Sequence, residues 1–320
     1  MVRIIALVLL ALASLAAEAN AQSWPSRPVR IVVPSPPAGG TDIIARVMAE
    51  NFSKVFKQQF FVENRPGAGN MIGIESVARA ANDGYTFLMT ASTLSLNSVL
   101  YKKVSYDPVK DFAPITLAAK APNVLIVNPS VPAKTLTEFI ALAKSQPGKL
   151  TYGTPGIGTS PHMCMELFKS MAGVDLQHIP YRGTVPALTD VMSGQISGMF
   201  STALSAKPQI EAGKVRAFGV STASRSGSMP DIPSIAEAGL PGYEAVQWYG
   251  FLAPAGTPAA IITQIHAESM KALNSAEMKE KLANDGAEPS PTTPEAFATH
   301  IRDELEKWRK VAKAAGIEPQ

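Results

Sequence analysis

Val29-Arg30-Ile31-Val32-Val33-Pro34-Ser35-Pro36-Pro37-Ala38-Gly39-Gly40-Thr41-Asp42 reads as a strand, a turn and the start of a helix. The near-continuous apolar run over 29–33, closed by Pro34, is the pattern of a strand buried on both faces. Beyond the turn, Ile43, Ile44, Val47, Met48 and Phe52 recur at helical spacing. In open α/β sheets ligands settle beyond the carboxyl ends of strands, so the loop over 35–41 stands where binding chemistry is expected.

The alternation continues outward from this unit. Strands are expected over 60–62, 85–90, 124–127, 150–152, 176–181, 195–200 and 215–220, and an extended stretch over 243–252. Helices are expected over 72–81, 161–171, 185–192 and 206–211. Thr135 and Glu138 form a capping box opening a helix whose buried stripe is Leu136, Phe139, Ile140 and Ala143, with Pro147-Gly148 as its stop. Thr257-Pro258 and Thr293-Pro294 place a cap and a first-turn proline, and Phe297, Ile301, Leu305 and Trp308 share one face of the last helix. Alternating strands and helices predict an α/β architecture with mostly parallel sheets. Two domains would require the chain to cross between them near 118–124 and again near 243–250, leaving the first domain discontinuous.

At the carboxyl ends of other expected strands the same loop chemistry repeats. Gly153-Thr154-Pro155-Gly156-Ile157-Gly158-Thr159-Ser160-Pro161 joins a strand to a helix, and Tyr181-Arg182-Gly183-Thr184, Ser201-Thr202-Ala203 and Thr90-Ala91-Ser92-Thr93 do so in shorter form. Helix amino-termini present unpaired N–H groups and partial positive charge, glycines allow close approach, and Ser and Thr add hydroxyls. Several such turns together are suited to a carboxylate. Arg182 is a candidate counter-ion, and His162, in a first helical turn, is either a ligand contact or a helix-end hydrogen bonder. Trp248, Tyr249 and Phe251 either floor a pocket or pack the crossing.

The front of the chain reads as a secretory leader over 1–21. Arg3 supplies its charge, an apolar run shorter than the roughly 18 residues of a secure span follows, and Ala19-Asn20-Ala21 precedes a cleavage point at Gln22. That reading predicts an exported, periplasmic protein. The net charge of +3 argues for no particular partner, and no basic patch interleaved with aromatics points to nucleic acid. Cys164 is the one cysteine, so no internal disulfide forms, and its Met and Leu neighbours mark it as a small buried hydrophobe. Enzyme motifs are missing. Gly156-Ile157-Gly158 starts a dinucleotide fingerprint but has Pro161 at the third glycine position. There is no phosphate loop, nucleophile elbow or Ser-x-x-Lys pair, and the four histidines lack zinc spacing. No cofactor, no metal and no catalytic group is expected.

The loops, taken with their surroundings, resemble the periplasmic solute receptors of tripartite tricarboxylate transporters, the Bug family. The resemblance runs from Trp24 to about Ile317. It is carried by Trp24-Pro25-Ser26-Arg27-Pro28, Ala38-Gly39-Gly40-Thr41-Asp42, Glu63-Asn64-Arg65-Pro66-Gly67-Ala68-Gly69, Asp83-Gly84-Tyr85-Thr86, Tyr106-Asp107-Pro108, Pro180-Tyr181-Arg182-Gly183, Pro230-Asp231-Ile232-Pro233, Glu237-Ala238-Gly239-Leu240-Pro241-Gly242-Tyr243 and Ala253-Pro254-Ala255-Gly256-Thr257-Pro258. It implies a two-lobe periplasmic-binding-protein fold of the second type with the ligand cleft between lobes. Residues 22–122 and 247–320 would form lobe 1, and 123–246 lobe 2. It further implies capture of a small di- or tricarboxylate or aromatic acid for the large and small membrane permease subunits, or presentation of the ligand to a sensor kinase. An extracytoplasmic hydrolase is a distant alternative. By position it places Ala38, Gly39, Gly40, Thr41 and Asp42 at the ligand, with Ser92 beside them. Gly158, Thr159, Ser160, His162, Tyr181, Arg182, Gly183 and Ser201 would come from the second lobe. Asp42 is as much a residue shaping its helix start as a ligand contact. The chain departs from the family at Asn70, Asn82, Ser197 and Ser201. The last two stand where many relatives are acidic, and a serine at a cleft-facing strand end would favour a carboxylate over an amine or amide.

Overall fold

The computed structural model describes residues 24–319 apart from 38, 182 and 285. The expected leader, Ala38 and Arg182 therefore lie outside the described residues. Among those described, no helix is long and apolar enough to cross a membrane.

The chain builds one sheet, leaves it to build a second, and returns. Strand β1 (Val29–Val33), β2 (Phe60–Asn64) and β3 (Thr86–Ala91) are joined through the helices Gly40–Phe56 and Met71–Ala78. β1 lies between the other two and runs parallel to both, with Val29 beside Phe60 and Arg30 beside Thr86. The helix Thr93–Leu100 then leads to β4 (Phe112–Ala121). After Pro122 the backbone enters β5 (Asn123–Val127), the first strand of the second sheet. That sheet is completed by β6 (Thr151–Thr154), β7 (Gln177–Pro180), β8 (Gly198–Thr202) and β9 (Arg216–Val220). β10 (Gln247–Pro254) and β11 (Glu288–Pro289) rejoin the first sheet, whose order is β11-β4-β10-β3-β1-β2; the second is β7-β6-β8-β5-β9. Two α/β lobes result, one around each sheet.

Neither sheet is mostly parallel, contrary to the sequence reading. β10 is antiparallel to β3 and β4, β11 to β4, and β5 to both β8 and β9. Strands joined by a crossover helix come out parallel, whereas those that carry the chain between the sheets run against their neighbours. β4 was also not expected, because Pro114 and Pro122 read as breaks. Pro114 is accommodated where it pairs with Leu252, beside a register shift in the β10–β4 ladder. A residue without an N–H is tolerated at such an irregularity.

Burial follows the periodicities. Ile44, Val47, Met48 and Phe52 face Phe87 and Phe251 in one core cluster of the first sheet. Each fully buried side chain of this kind contributes about 1.5–3 kcal/mol. On the other face an apolar cluster runs without a break from Val32 and Leu88 through Trp248 to Leu125, Phe139 and Phe168 of the second sheet. Phe297 packs so closely on β10 that a Cβ on Gly250 would stand 2.1 Å from its Cζ, so only glycine fits there. The buried charges here are satisfied: Glu304 accepts from the indole nitrogens of Trp248 (3.1 Å) and Trp308 (2.8 Å) and pairs with Lys307, and Glu166 accepts from the Tyr152 hydroxyl and pairs with Lys169. Thr135 accepts from the Glu138 amide as expected, but Glu138 bonds the Lys134 amide, one residue before the cap. Thr293 caps its helix; Thr257 does not, since Pro258 takes the cap position and Thr257 donates back to Pro254.

Candidate functional site

Five helices begin immediately beyond strand ends, and none has its start closed by a side-chain cap. Their cap residues are Gly39, Ser92, Thr159, Gly183 and Thr202. Thr135 and Thr293, at helix starts elsewhere, do accept a first-turn N–H. An uncapped start leaves its first N–H groups and the positive end of its dipole for an outside acceptor.

In the first lobe the turn after β1 reaches Gly39 in extended backbone and enters the helix at Gly40. Asp42 is buried and turned along the helix, where it accepts from Arg46 Nε at 2.8 Å and Asn64 Nδ2 at 2.9 Å. The same Asn64 amide donates to Ser35 O at 3.1 Å. Asp42 therefore ties the loop to the end of β2, with its charge engaged by Arg46. Gly40 must be glycine: a Cβ would lie 2.6 Å from the Tyr249 hydroxyl. That hydroxyl accepts from Gln247 Nε2 at 3.1 Å. Trp248 and Phe251 pack the cores, while Tyr249 reaches the glycine turn. Its neighbour in the sheet is Ala91, and the next residue, Ser92, is held by its amide to Trp248 O at 3.0 Å.

In the second lobe the turn after β6 takes Gly156 at φ 145° and Gly158 at φ 78°, conformations that side-chain-bearing residues rarely adopt. Thr159 donates to Gly156 O at 2.8 Å, which spends its hydroxyl on the turn instead of the helix. Gly183 N–H bonds Pro155 O at 3.1 Å, so the two expected turns form one unit. Asn123, the first residue of β5, donates to Ser160 Oγ at 2.9 Å and joins that unit to the crossing. The lobes meet here: Leu100 Cδ1 lies 2.9 Å from where a Cβ on Gly158 would stand.

Two expected contacts, His162 and Tyr181, have their side chains occupied, and a third, Ser201, is buried. His162 is 4% exposed, accepts the Gly158 N–H at 3.2 Å and stacks on His178 at 4.6 Å, which stacks in turn on Tyr152 at 4.8 Å. Burial, then the neighbouring His178, lowers its pKa to about 4, so the ring is neutral and braces the glycine turn. The Tyr181 hydroxyl donates to Asp190 at 2.6 Å, and burial with that carboxylate pushes its pKa up to about 12. Ser201 does not face the cleft: it is 0% exposed, because its side chain lies on the inward face of β8 with Met199, opposite Val124. Ser197 sits at the opposite end of β8, bonded to Thr151. Cys164 is fully buried, and burial raises its thiol to about 12. Gln247 and Asn123 were not singled out from sequence; Tyr249 was named with Trp248 and Phe251 as flooring a pocket or packing the crossing, and the alternation of β10 sets it on the Phe251 face.

The family model described as tripartite tricarboxylate transporter family receptor matches residues 44–317. A protein of the tcbD-tcbE intergenic region of Pseudomonas sp. is 38% identical over 306 residues, covering 94% of this chain and 91% of that protein. BugT of Bordetella pertussis is 33% identical over 99% of this chain and 98% of its own length. Among solved structures, an R. palustris protein with adipate superposes with a TM-score of 0.78 at 37% identity, over 93% of this chain and 100% of that one. MatC from Rhodopseudomonas palustris, with bound malate, gives 0.73 at 32% identity, over 90% and 99%. With that fold, those uncapped helix starts and those matches, the chain belongs to the tripartite tricarboxylate transporter receptor family, whose members are solute-binding receptors and not enzymes.

Proposed function

We propose that this receptor captures a small di- or tricarboxylate, or an aromatic acid, in the periplasm and hands it to the large and small membrane subunits of a tripartite transporter. Export would follow from the leader over 1–21. Residues 22–122 with 247–320 would form one lobe and 123–246 the other, with the chain bending at the crossing around Pro122 and before Gln247. The observation that supports this is the set of uncapped helix starts following strands of both sheets, with Leu100 of the first lobe packed against the Gly158 turn of the second. Gly39, Gly40, Thr41 and Ser160 would hold carboxylate oxygens by main-chain N–H groups and hydroxyls, with the Ser92 hydroxyl beside them, while Gly158, Thr159 and Gly183, already bonded within their turns, would shape the wall around the ligand. Asp42, His162, Tyr181 and Tyr249 would keep those turns in place. The similar structures with adipate and malate support an acid as the ligand class. A ligand better bound between closed lobes than open ones shifts the population toward closure, which a permease can read.

Thermal denaturation against adipate, malate, citrate and benzoate tests this. An acid at a hundred times its dissociation constant adds about 2.7 kcal/mol of stability. At least one acid is expected to raise the melting temperature while its diamide does not; equal stabilisation by the diamide, or by none of the acids, would contradict it. Deletion of the gene is expected to abolish uptake of that acid, and loss of induction alone would assign the receptor to a sensor kinase.

A further inference from the structure

Apart from the two chain crossings and the apolar contact, the lobes are tied by a polar clasp. Glu288 on β11 belongs to the first sheet, beside Lys120 of β4. Its Oε1 accepts the Ser226 hydroxyl at 2.7 Å and the Ser228 amide at 3.3 Å. Ser228 Oγ donates back to Gly286 O at 3.1 Å. Ser226 and Ser228 follow β9, and the next residue, Met229, is buried in the core of the second sheet. Ser226 is 4% exposed although its partner is a carboxylate with no cation paired to it among the described residues. Gly227 completes the seat, since a Cβ there would come within 3.2 Å of Glu288 Oε1.

The clasp also borders the opening between the lobes. Ser228 lines a groove of about 250 Å³ with Ala203, Lys207 and Glu211 on one side and Ala283 and Gly286 on the other. Ala203 begins the helix capped by Thr202, one of the uncapped starts at the cleft. A swing that parts the strand-tip turns would also widen this groove and pull Ser226 and Ser228 from Glu288.

We propose that Glu288 is a positioning residue for ligand capture: held by Ser226 and Ser228, it sets the balance between open and closed lobes without touching the ligand. Losing the clasp raises the fraction of open molecules, and apparent affinity falls with the fraction that is binding-competent. A carboxylate hydrogen-bonded at a partly exposed site is expected to shift that balance three- to tenfold. Only the ligand arm of this inference rests on the receptor reading.

The test uses spin labels at Lys144→Cys and Lys279→Cys, one on each lobe, with the buried Cys164 left in place. In the ligand-free protein Glu288→Ala is expected to move the label separation to longer distances. With adipate and malate as probes it weakens binding three- to tenfold, chiefly through faster release. Glu288→Gln keeps an acceptor at Oε1 and is expected to behave as the parent; Gly227→Val, which crowds the seat, behaves as Glu288→Ala. Unchanged distances and affinities in Glu288→Ala, or a Gln variant as impaired as the Ala variant, would overturn the proposal. If neither acid binds the parent protein, the ligand-free distances alone decide the clasp, and the receptor reading is judged separately by the wider acid screen.

Discussion

Gly40 and Tyr249 show how closely single residues are matched at the first glycine turn. A methyl group on Gly40 would meet both the hydroxyl and Cζ of Tyr249, at 2.6 and 2.9 Å. Gly40→Ala is therefore expected to cost about 1–3 kcal/mol in urea denaturation through overpacking, and to weaken acid binding more than it weakens the fold. His162 carries a pH dependence of definite sign. An unfolded imidazole holds its proton below about 6.5, whereas the folded ring takes one only below about 4. Between those values the unfolded chain binds more protons, so stability falls as pH drops through this window and levels off below it. The expected loss is roughly 3 kcal/mol from this residue. Burial lowers His178 and His300 in the same direction. Denaturation at a series of pH values should give a shallower slope for His162→Gln than for the parent; an unchanged slope would show that the stacked ring is not the group responsible. The histidine's place in a first helical turn was legible in sequence. Its stacking on His178 was not, because that contact joins a helix to a strand from a separate strand–helix unit.

At the scale of elements, the crossing between sheets is the least conventional feature. Asn123 N–H donates to Ser221 Oγ at 2.9 Å, and Ser221 N–H returns to Asn123 O at 2.7 Å, both residues being almost fully buried. Removing the hydroxyl leaves a buried N–H without an acceptor, which costs about 1–3 kcal/mol. Ser221→Ala should show that loss in denaturant unfolding and should loosen the crossing, seen as faster amide exchange at Asn123. Strands built from apolar runs, such as 29–33 and 124–127, could be read from sequence, and so could helices with a stripe, as in Phe297, Ile301, Leu305 and Trp308. Pairing direction could not. Both faces of these strands are apolar, and an apolar run fixes burial without fixing a partner. β4 was hidden for a further reason, since Pro114 within it and Pro122 just past its end are tolerated only because a ladder irregularity and the sheet crossing fall there.

For the whole molecule, the two sheets are separate hydrogen-bonded units joined, among the described residues, by an apolar cluster, two chain crossings, the Lys120–Glu244 ion pair beside them and the Glu288 clasp. Such an arrangement permits a hinge between the lobes. The turns themselves were legible as a repeated pattern of Gly, Ser and Thr after strands. Which side chains would be spent on bracing them was not, as Thr159 and Tyr181 show. The most direct measurement is a nuclear magnetic resonance titration that follows the amides of Gly39, Gly40 and Thr41 together with those of Gly158, Thr159, Ser160 and Gly183 as adipate or malate is added. Both sets shifting in one saturable transition, with a shared dissociation constant and one ligand per chain, is the expected result. Shifts confined to one set, or spread over other surfaces while both turns stay still, would contradict a shared carboxylate site between the lobes.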